Sequence, residues 1–351
     1  MTADAAGGVW RYSVDLIKAA VKHGAEVMLA TMGPRPTAAQ RDELLSILQI
    51  TLAESDYALE WMPGAGGDVD ASGKWLLELE SHFDADLIHL NGYAHASLPW
   101  GKPVVVVAHS CVYSWWRAVH GCAPGKEWTE YKKRVTDGLE ACDIAVTPSA
   151  AMAAELQREY AVNTDRVRVI RNFTNVQPSS GTTKEPFVLA AGRVWDAAKN
   201  LELLDRTAPK LGWQVRIAGS GSPNRSARFL GCLAHTELMN QMRAAGIFAH
   251  PALYEPFGLS VLEAARARCC LVLSDIRSLR ELWEGAARFV NPREPEAWID
   301  EINALIHNPE ERELFGKRAH SRSLEYTEAS SAGQYWNLYS SIIDARSGVA
   351  A

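Results

Sequence analysis

Glu255 and Glu263 stand eight positions apart in the run Glu255-Pro256-Phe257-Gly258-Leu259-Ser260-Val261-Leu262-Glu263. Pro256 and Gly258 place the first acid in a turn. Ser260 reads as an N-cap, which sets Glu263 in the first turn of the helix that follows. A helix start offers unpaired N–H groups and a partial positive charge, suited to a phosphate. Two carboxylates beside it can accept hydrogen bonds from sugar hydroxyls. Anion on the backbone and hydroxyls on the acids would together hold a nucleotide-sugar. Acids in a first turn also simply complement the helix dipole, so the pair needs support from the rest of the chain.

Four further segments supply it. In Gly192-Arg193-Val194-Trp195-Asp196-Ala197-Ala198-Lys199-Asn200, between a strand and a helix, Arg193 and Lys199 could converge on a diphosphate. Either could equally be a solvated surface cation. Gly7-Gly8 lies at a strand-to-helix turn where backbone can approach a ligand closely. His109 stands at the carboxyl end of a Val104–Val107 strand, where ligand groups collect in α/β sheets; a buried histidine serving only the core is the alternative. Gly219-Ser220-Gly221 follows a Gln214–Ala218 strand and leaves room for a nucleotide, or forms a plain turn.

Strands and helices must carry these residues. Val9 to Lys22 has helical periodicity and stops at Gly24, and Glu26 to Ala30 reads as a strand. Leu87–Leu90 and Val104–Val107 are continuous apolar runs, as in parallel strands covered on both faces. Ile144–Val146 and Val167–Ile170 are further strands, with a helix at Ala150–Tyr160 between them. Val176 to Pro186 has the composition of a linker. Alternation then restarts with strands at Phe187–Ala190, Gln214–Ala218, Phe248–Ala249 and Leu271–Leu273, and the chain is helical from Pro295 in at least three pieces. Alternation on both sides of one linker indicates two Rossmann-like domains, with the cleft between them as the expected ligand site. The first strand has only Met1 to Ala6 to draw on, so it is short or missing.

A length of 351 residues accommodates two domains, and 47% apolar with 22% charged residues is the balance of a soluble globular chain. A net charge of -6 argues against a general nucleic-acid binder. No apolar run approaches the roughly 18 residues that cross a bilayer, and no signal peptide is read at the start. The cysteines Cys111, Cys122, Cys142, Cys232, Cys269 and Cys270 have no paired spacing, so reduced thiols and a cytoplasmic location are expected. Asp68-Val69-Asp70 has the look of a metal-binding pair in a glycine-rich loop, and Asp84-Ala85-Asp86 precedes a strand; neither is taken as a metal site, and no metal or other cofactor is expected. Tyr113, Trp115, Trp116, Trp128 and Tyr131, with Lys126, Lys132, Lys133 and Arg134, crowd one stretch. Ordinary packing, a saccharide platform or contact with an anionic membrane would each account for it.

Over nearly its whole length the sequence resembles a retaining glycosyltransferase of family 4, in a divergent branch. The resemblance is carried by Ala190-Ala191-Gly192-Arg193…Lys199-Asn200 and His250-Pro251-Ala252-Leu253-Tyr254-Glu255-Pro256-Phe257-Gly258-Leu259…Glu263-Ala264, with Ser149 and Asn172 at family positions. Cys269-Cys270-Leu271 replaces the usual Gly-x-Pro, Ala252 stands where serine is common, Phe173-Thr174 replaces a glycine, and Ser274 to Arg280 lacks the usual glycines. The resemblance implies the GT-B fold, an α/β architecture of two Rossmann-like domains facing each other across a cleft. Residues 1–175 would form the acceptor domain and 187–325 the donor domain, with residues 326–351 a helix crossing back to the first.

It also implies roles. Arg193 and Lys199 would bind the donor diphosphate, Glu255 the sugar hydroxyls and Glu263 the ribose. Backbone near Phe257, Gly258 and Leu259 would touch sugar or phosphate. Gly192 and Gly219 would line the nucleotide, Gly8 would approach from the other domain, and His109 would face the donor sugar. Tyr113, Trp115 and Trp116 are acceptor candidates. The reaction would move a hexose from a UDP- or GDP-sugar to a saccharide or glycolipid, without a metal and without an enzymic nucleophile. An epimerase acting on nucleotide-sugars and a non-catalytic nucleotide-sugar binder are the competing classes. An NAD oxidoreductase is disfavoured, because no Gly-x-Gly-x-x-Gly follows a strand.

Overall fold

The structure is a computed structural model that describes residues 1–349 apart from residues 6, 180, 182 and 222–225. Ser180 and Thr182 of the expected linker thus lie outside the described residues. The chain divides into two compact units. The first holds Met1–Arg117, Cys122–Asn172 and Glu328–Ala351, and the second Ala118–Gly121 and Phe173–Thr327.

The first unit contains β1 (Thr2–Asp4), β2 (Val27–Met32), β3 (Ile50–Glu54), β4 (Ile88–Leu90), β5 (Val104–Val107), β6 (Ile144–Thr147) and β7 (Val167–Val169). All pairings are parallel, in two ladders running β1-β2-β3 and β4-β5-β6-β7. A first strand therefore exists, three residues long. Asn91, just past β4, joins it to the second ladder: its backbone N–H donates to Thr2 Oγ1 at 3.0 Å and its side-chain amide to Thr2 O at 2.7 Å. All four valines of β5 are buried, as a strand covered on both faces requires.

Helices pack by their apolar stripes. In the Gly8–Lys22 helix, Trp10, Val14 and Ile17 meet Ala3, Leu29 and Leu44. The last helix, Glu328–Val349, belongs to this same unit. Its Tyr335 is buried and accepts a 2.7 Å hydrogen bond from Tyr12 Oη, and Tyr339 Oη lies 2.7 Å from His89 Nδ1.

The second unit contains β8 (Glu185–Ala191), β9 (Gln214–Ala218), β10 (Arg228–Gly231), β11 (Ala245–His250), β12 (Cys270–Ser274) and β13 (Arg288–Val290). They form one parallel sheet in the order β10-β9-β8-β11-β12-β13. That is the doubly wound order of a Rossmann fold, with its reversal between β8 and β11. Glu185 and Pro186, expected in the linker, begin β8; Pro186 sits near the strand's start, where a missing N–H is tolerated. Helices 259–266 and 235–244 cover one face through Val261, Leu262, Met239 and Met242, and helix 295–307 covers the other through Trp298, Ile302 and Leu305. Cys269 and Cys270 are buried and fill small apolar volumes, while Cys122 and Cys232 are exposed; all six cysteines are free.

The Asp68–Asp70 pair is not in a loop. It lies in the first turns of the Gly66–Phe83 helix, where Asp68 Oδ2 accepts from Ala58 N at 2.7 Å and Asp70 pairs with Arg134. Adjacent glycines disguised a helix start that the acids favour through the dipole.

Candidate functional site

The reversal in the second sheet lies between β8 and β11, and ligands of such sheets bind beyond the carboxyl ends of strands at that point. The turns leaving β8 and its neighbour β9 are pressed together. Gly192 N donates to Ala218 O at 3.0 Å and Val194 N to Ser220 O at 2.8 Å. Gly219, with φ +153°, comes so close that a Cβ would stand 1.7 Å from Gly192 O.

The loop after β8 is built by its own side chains. Asp196 Oδ1 accepts from Ala198 N at 3.0 Å and starts the short 3-10 turn Ala197–Lys199. Asp196 Oδ2 takes Arg193 Nη2 at 2.7 Å, while Arg193 Nε is buried without a partner among the described residues. Asn200 Nδ2 donates to Pro251 O at 3.0 Å and Pro292 O at 2.9 Å, and Leu253 N donates to Ala198 O at 2.8 Å. These bonds tie the cationic loop to the turn after β11.

The tie delivers Lys199 to Glu255. Lys199 Nζ lies 2.6 Å from Glu255 Oε2, and His250 Nε2 lies 3.0 Å from the same oxygen. Ser278 Oγ donates to Glu255 O at 2.5 Å and fixes the backbone. Burial works to raise the Glu255 pKa. The Lys199 charge and the hydrogen bonds from His250 and Lys199 outweigh it and hold the carboxyl well below the usual carboxylate range. An ionised carboxylate only accepts, so His250 Nε2 is the donor.

Gly258, at φ +86°, is the N-cap of the Leu259–Arg266 helix. Ser260 is therefore not the cap, and Glu263 sits a turn in rather than in the first turn; the left-handed glycine ends the loop two residues earlier than a serine cap would. Phe257 turns its ring inward against Tyr326, so only its backbone is available to a ligand. Glu263 is buried, with Oε1 2.8 Å from His235 Nε2.

Arg193, Lys199, Glu255, Gly192, Gly219, Gly258, Leu259 and Glu263 thus all lie at the carboxyl edge of one sheet. The sequence reading missed Asp196, His250 and His235. The first carried a signal, an acid three residues after Arg193. His250 ends its strand five residues before Glu255, but His235 meets Glu263 only through the packing of two helices.

The remaining candidates belong to the first unit. Gly7 has φ +94° and Gly8 opens the helix after β1. His109 lies two residues past β5, its pKa pushed down to about 3 by burial. Tyr113 is buried beneath Lys132, whose Nζ is 4.9 Å from the ring centre. Trp115, Trp116 and Trp128 are half-buried and form a chain of tilted rings 6.0 and 6.2 Å apart. Three of the cations around them are engaged locally: Arg117 with Glu159, Arg134 with Asp70 and Glu130, and Lys133 with Asp137. A cavity of about 640 Å³ also lies in this unit, lined by Met1, Met28, Leu87 and Tyr339. It opens at the amino ends of β1, β2 and β4, the edge away from Gly8 and His109.

Comparison with known proteins decides the family. The description "Glycosyltransferase Family 4" matches residues 6–177, and "Glycosyl transferases group 1" matches residues 173–322. The chain belongs to glycosyltransferase family 4. A glycogen synthase of Mycobacterium tuberculosis is 30% identical over 51% of this chain and 49% of its own length. The chain thus spans about half the length of the glycogen synthases it matches. A D-inositol 3-phosphate glycosyltransferase of Xylanimonas cellulosilytica is 27% identical over 93% of the chain and 90% of its own. Among solved structures, the sucrose-phosphate synthase of Thermosynechococcus elongatus superposes with a TM-score of 0.80 at 20% identity, covering 98% of this chain and 96% of that one. The fold is GT-B, built from two Rossmann-like units, and identity this low marks a divergent family 4 member.

Proposed function

We propose that this family 4 chain transfers a hexose from a UDP- or GDP-sugar to a saccharide or lipid-linked acceptor, with retention at the anomeric carbon and without a metal. One observation carries the reading: Lys199 and Glu255 meet at 2.6 Å at the topological switch point of the second sheet. Lys199 Nζ has three donors, so it can keep Glu255 and also reach a phosphate oxygen. Arg193, anchored through one nitrogen to Asp196, has further N–H groups for the same diphosphate. Both cations would stabilise the charge that builds on the departing phosphate as the sugar gains oxocarbenium character.

Glu255 Oε1 has no partner among the described residues and is free to accept from a sugar hydroxyl, while Oε2 holds Lys199 and His250. This engagement suits a binding carboxylate rather than a nucleophile. Glu263, steadied by His235 through Oε1, would accept from the ribose. In the first unit, Gly8 would approach the phosphate and His109 would contact the donor sugar. Tyr113, Trp115 and Trp116 are proposed to serve the acceptor, and a saccharide is favoured over an anionic membrane because three of the neighbouring cations, Arg117, Lys133 and Arg134, are already paired with acids.

The test is incubation of the purified chain with UDP- and GDP-hexoses, alone and with oligosaccharide or glycolipid acceptors, read by proton NMR. Transfer with the donor's anomeric configuration kept is expected. A C2 epimer formed without acceptor would indicate an epimerase. Binding with neither transfer nor donor hydrolysis would indicate a non-catalytic binder.

A further inference from the structure

His109 carries two ring nitrogens, and a single neighbour settles what each one does. Asn91 directly follows β4. Its side-chain nitrogen lies 2.7 Å from the carbonyl oxygen of Thr2 and 3.1 Å from Ser13 Oγ. A backbone carbonyl can only accept, so the atom facing it is the amide NH2. The amide oxygen is thereby turned to His109, 2.8 Å from Nε2. That oxygen also only accepts, so Nε2 bears a proton. Burial pushes the His109 pKa down to about 3, so at neutral pH the ring holds this one proton and Nδ1 is a bare lone pair. Nδ1 has no hydrogen-bond partner among the described residues, and it is not among their fully buried orphan atoms.

The geometry is braced on several sides. Asn91 N donates to Thr2 Oγ1 at 3.0 Å. Tyr12 meets the His109 ring at 4.5 Å between centres and 72° between planes, and is itself held by Tyr335. Three elements thus fix Asn91: β1, the helix after it, and β4. None of these contacts would be needed to fill space alone, since an aliphatic side chain would do so without leaving Thr2 O and His109 Nε2 to be satisfied.

We propose that Asn91 is a positioning residue that fixes His109 as the Nε2–H tautomer and so presents Nδ1 as an acceptor for a hydroxyl of the bound sugar. This rests on the reading of His109 as a donor-sugar contact. A misplaced proton on Nδ1 would turn acceptor into donor and remove the hydrogen bond from the reacting complex.

The imidazole nitrogen shifts of the full-length, nitrogen-15-labelled chain test this at neutral pH, with His109 assigned by difference from His109→Gln. The expected result is a pyridine-type Nδ1 and a pyrrole-type Nε2 in the parent chain, and mixed tautomers in Asn91→Ala. Turnover in Asn91→Ala should fall about tenfold, the worth of one hydrogen bond, while UDP or GDP affinity is unchanged. A protonated Nδ1 in the parent overturns the proposal, and so does an unaltered tautomer in Asn91→Ala. The parent's shifts decide the tautomer even if Asn91→Ala fails to fold. Expected shifts with unchanged turnover in both Asn91→Ala and His109→Gln overturn the link to the reaction. In that case nucleotide binding that depends on Lys199 would show that the donor-site reading itself survives.

Discussion

Glu255 accepts two hydrogen bonds on one oxygen and keeps the other open, and this asymmetry would divide the two tasks proposed for it. Glu255→Gln keeps the shape but halves the acceptor capacity and weakens the hold on Lys199. It should lower kcat at least tenfold while changing nucleotide affinity by less than about threefold, as the loss of a bond made mainly in the transition state requires. Steady-state kinetics beside calorimetry would check the split. A pH signature accompanies it. Because the folded carboxyl is held below its ordinary value of about 4.3, its stabilisation is present above that value and is lost as pH falls through the folded-state pKa. The stability gap between the parent and Glu255→Gln should therefore be largest at neutral pH and narrow below about pH 4, measured by urea unfolding.

That Arg193, Lys199 and Glu255 would gather at strand ends was legible from the glycine and proline turns beside them, although residue type alone left room for surface cations and for acids that merely complement a helix dipole. Ser260 misled because serine caps helices well, and nothing local shows that Gly258 adopts the left-handed backbone first. His235, His250 and Asn91 gave little warning. Their roles arise from which loops lie side by side, and spacing along the chain does not contain that.

At the scale of elements, the turns after β8 and β9 must interlock before any side chain is placed. Gly219→Ala should cost about 2–3 kcal/mol and weaken nucleotide binding together with stability, because the new methyl collides with the Gly192 carbonyl in a backbone conformation alanine resists. Thermal melts with and without nucleotide would show both losses. The last helix makes a different contribution. Tyr335→Ala opens a cavity against Tyr12 and leaves its hydroxyl unpaired, for about 3–5 kcal/mol in the first unit, read as a lower melting temperature. Central strands such as β5 were readable from their unbroken valines. β1 was doubtful because three residues carry no periodicity, and the Asp68–Asp70 helix was hidden behind Gly66 and Gly67.

For the molecule as a whole, family membership and fold follow from two family descriptions that together run from residue 6 to 322. No helix among the described residues is long and apolar enough to cross a membrane. On the proposed function, two protein cations, rather than a divalent ion, would meet the donor diphosphate. Turnover should then persist within about twofold in excess EDTA, since Arg193 and Lys199 already supply the counter-charge a metal would bring. Lys199→Ala should also destabilise the chain by about 3–5 kcal/mol near pH 7, because it strands the buried Glu255 charge.

Calorimetric titration of UDP and GDP into the parent, Lys199→Ala and Glu263→Ala chains, at a temperature where all three are folded, bears most directly on this account. Binding of one nucleotide to the parent is predicted, weakened about 10- to 100-fold by Lys199→Ala, the worth of a charged hydrogen bond, and less by Glu263→Ala. Equal affinity in all three chains, or a parent that binds neither nucleotide, would contradict it.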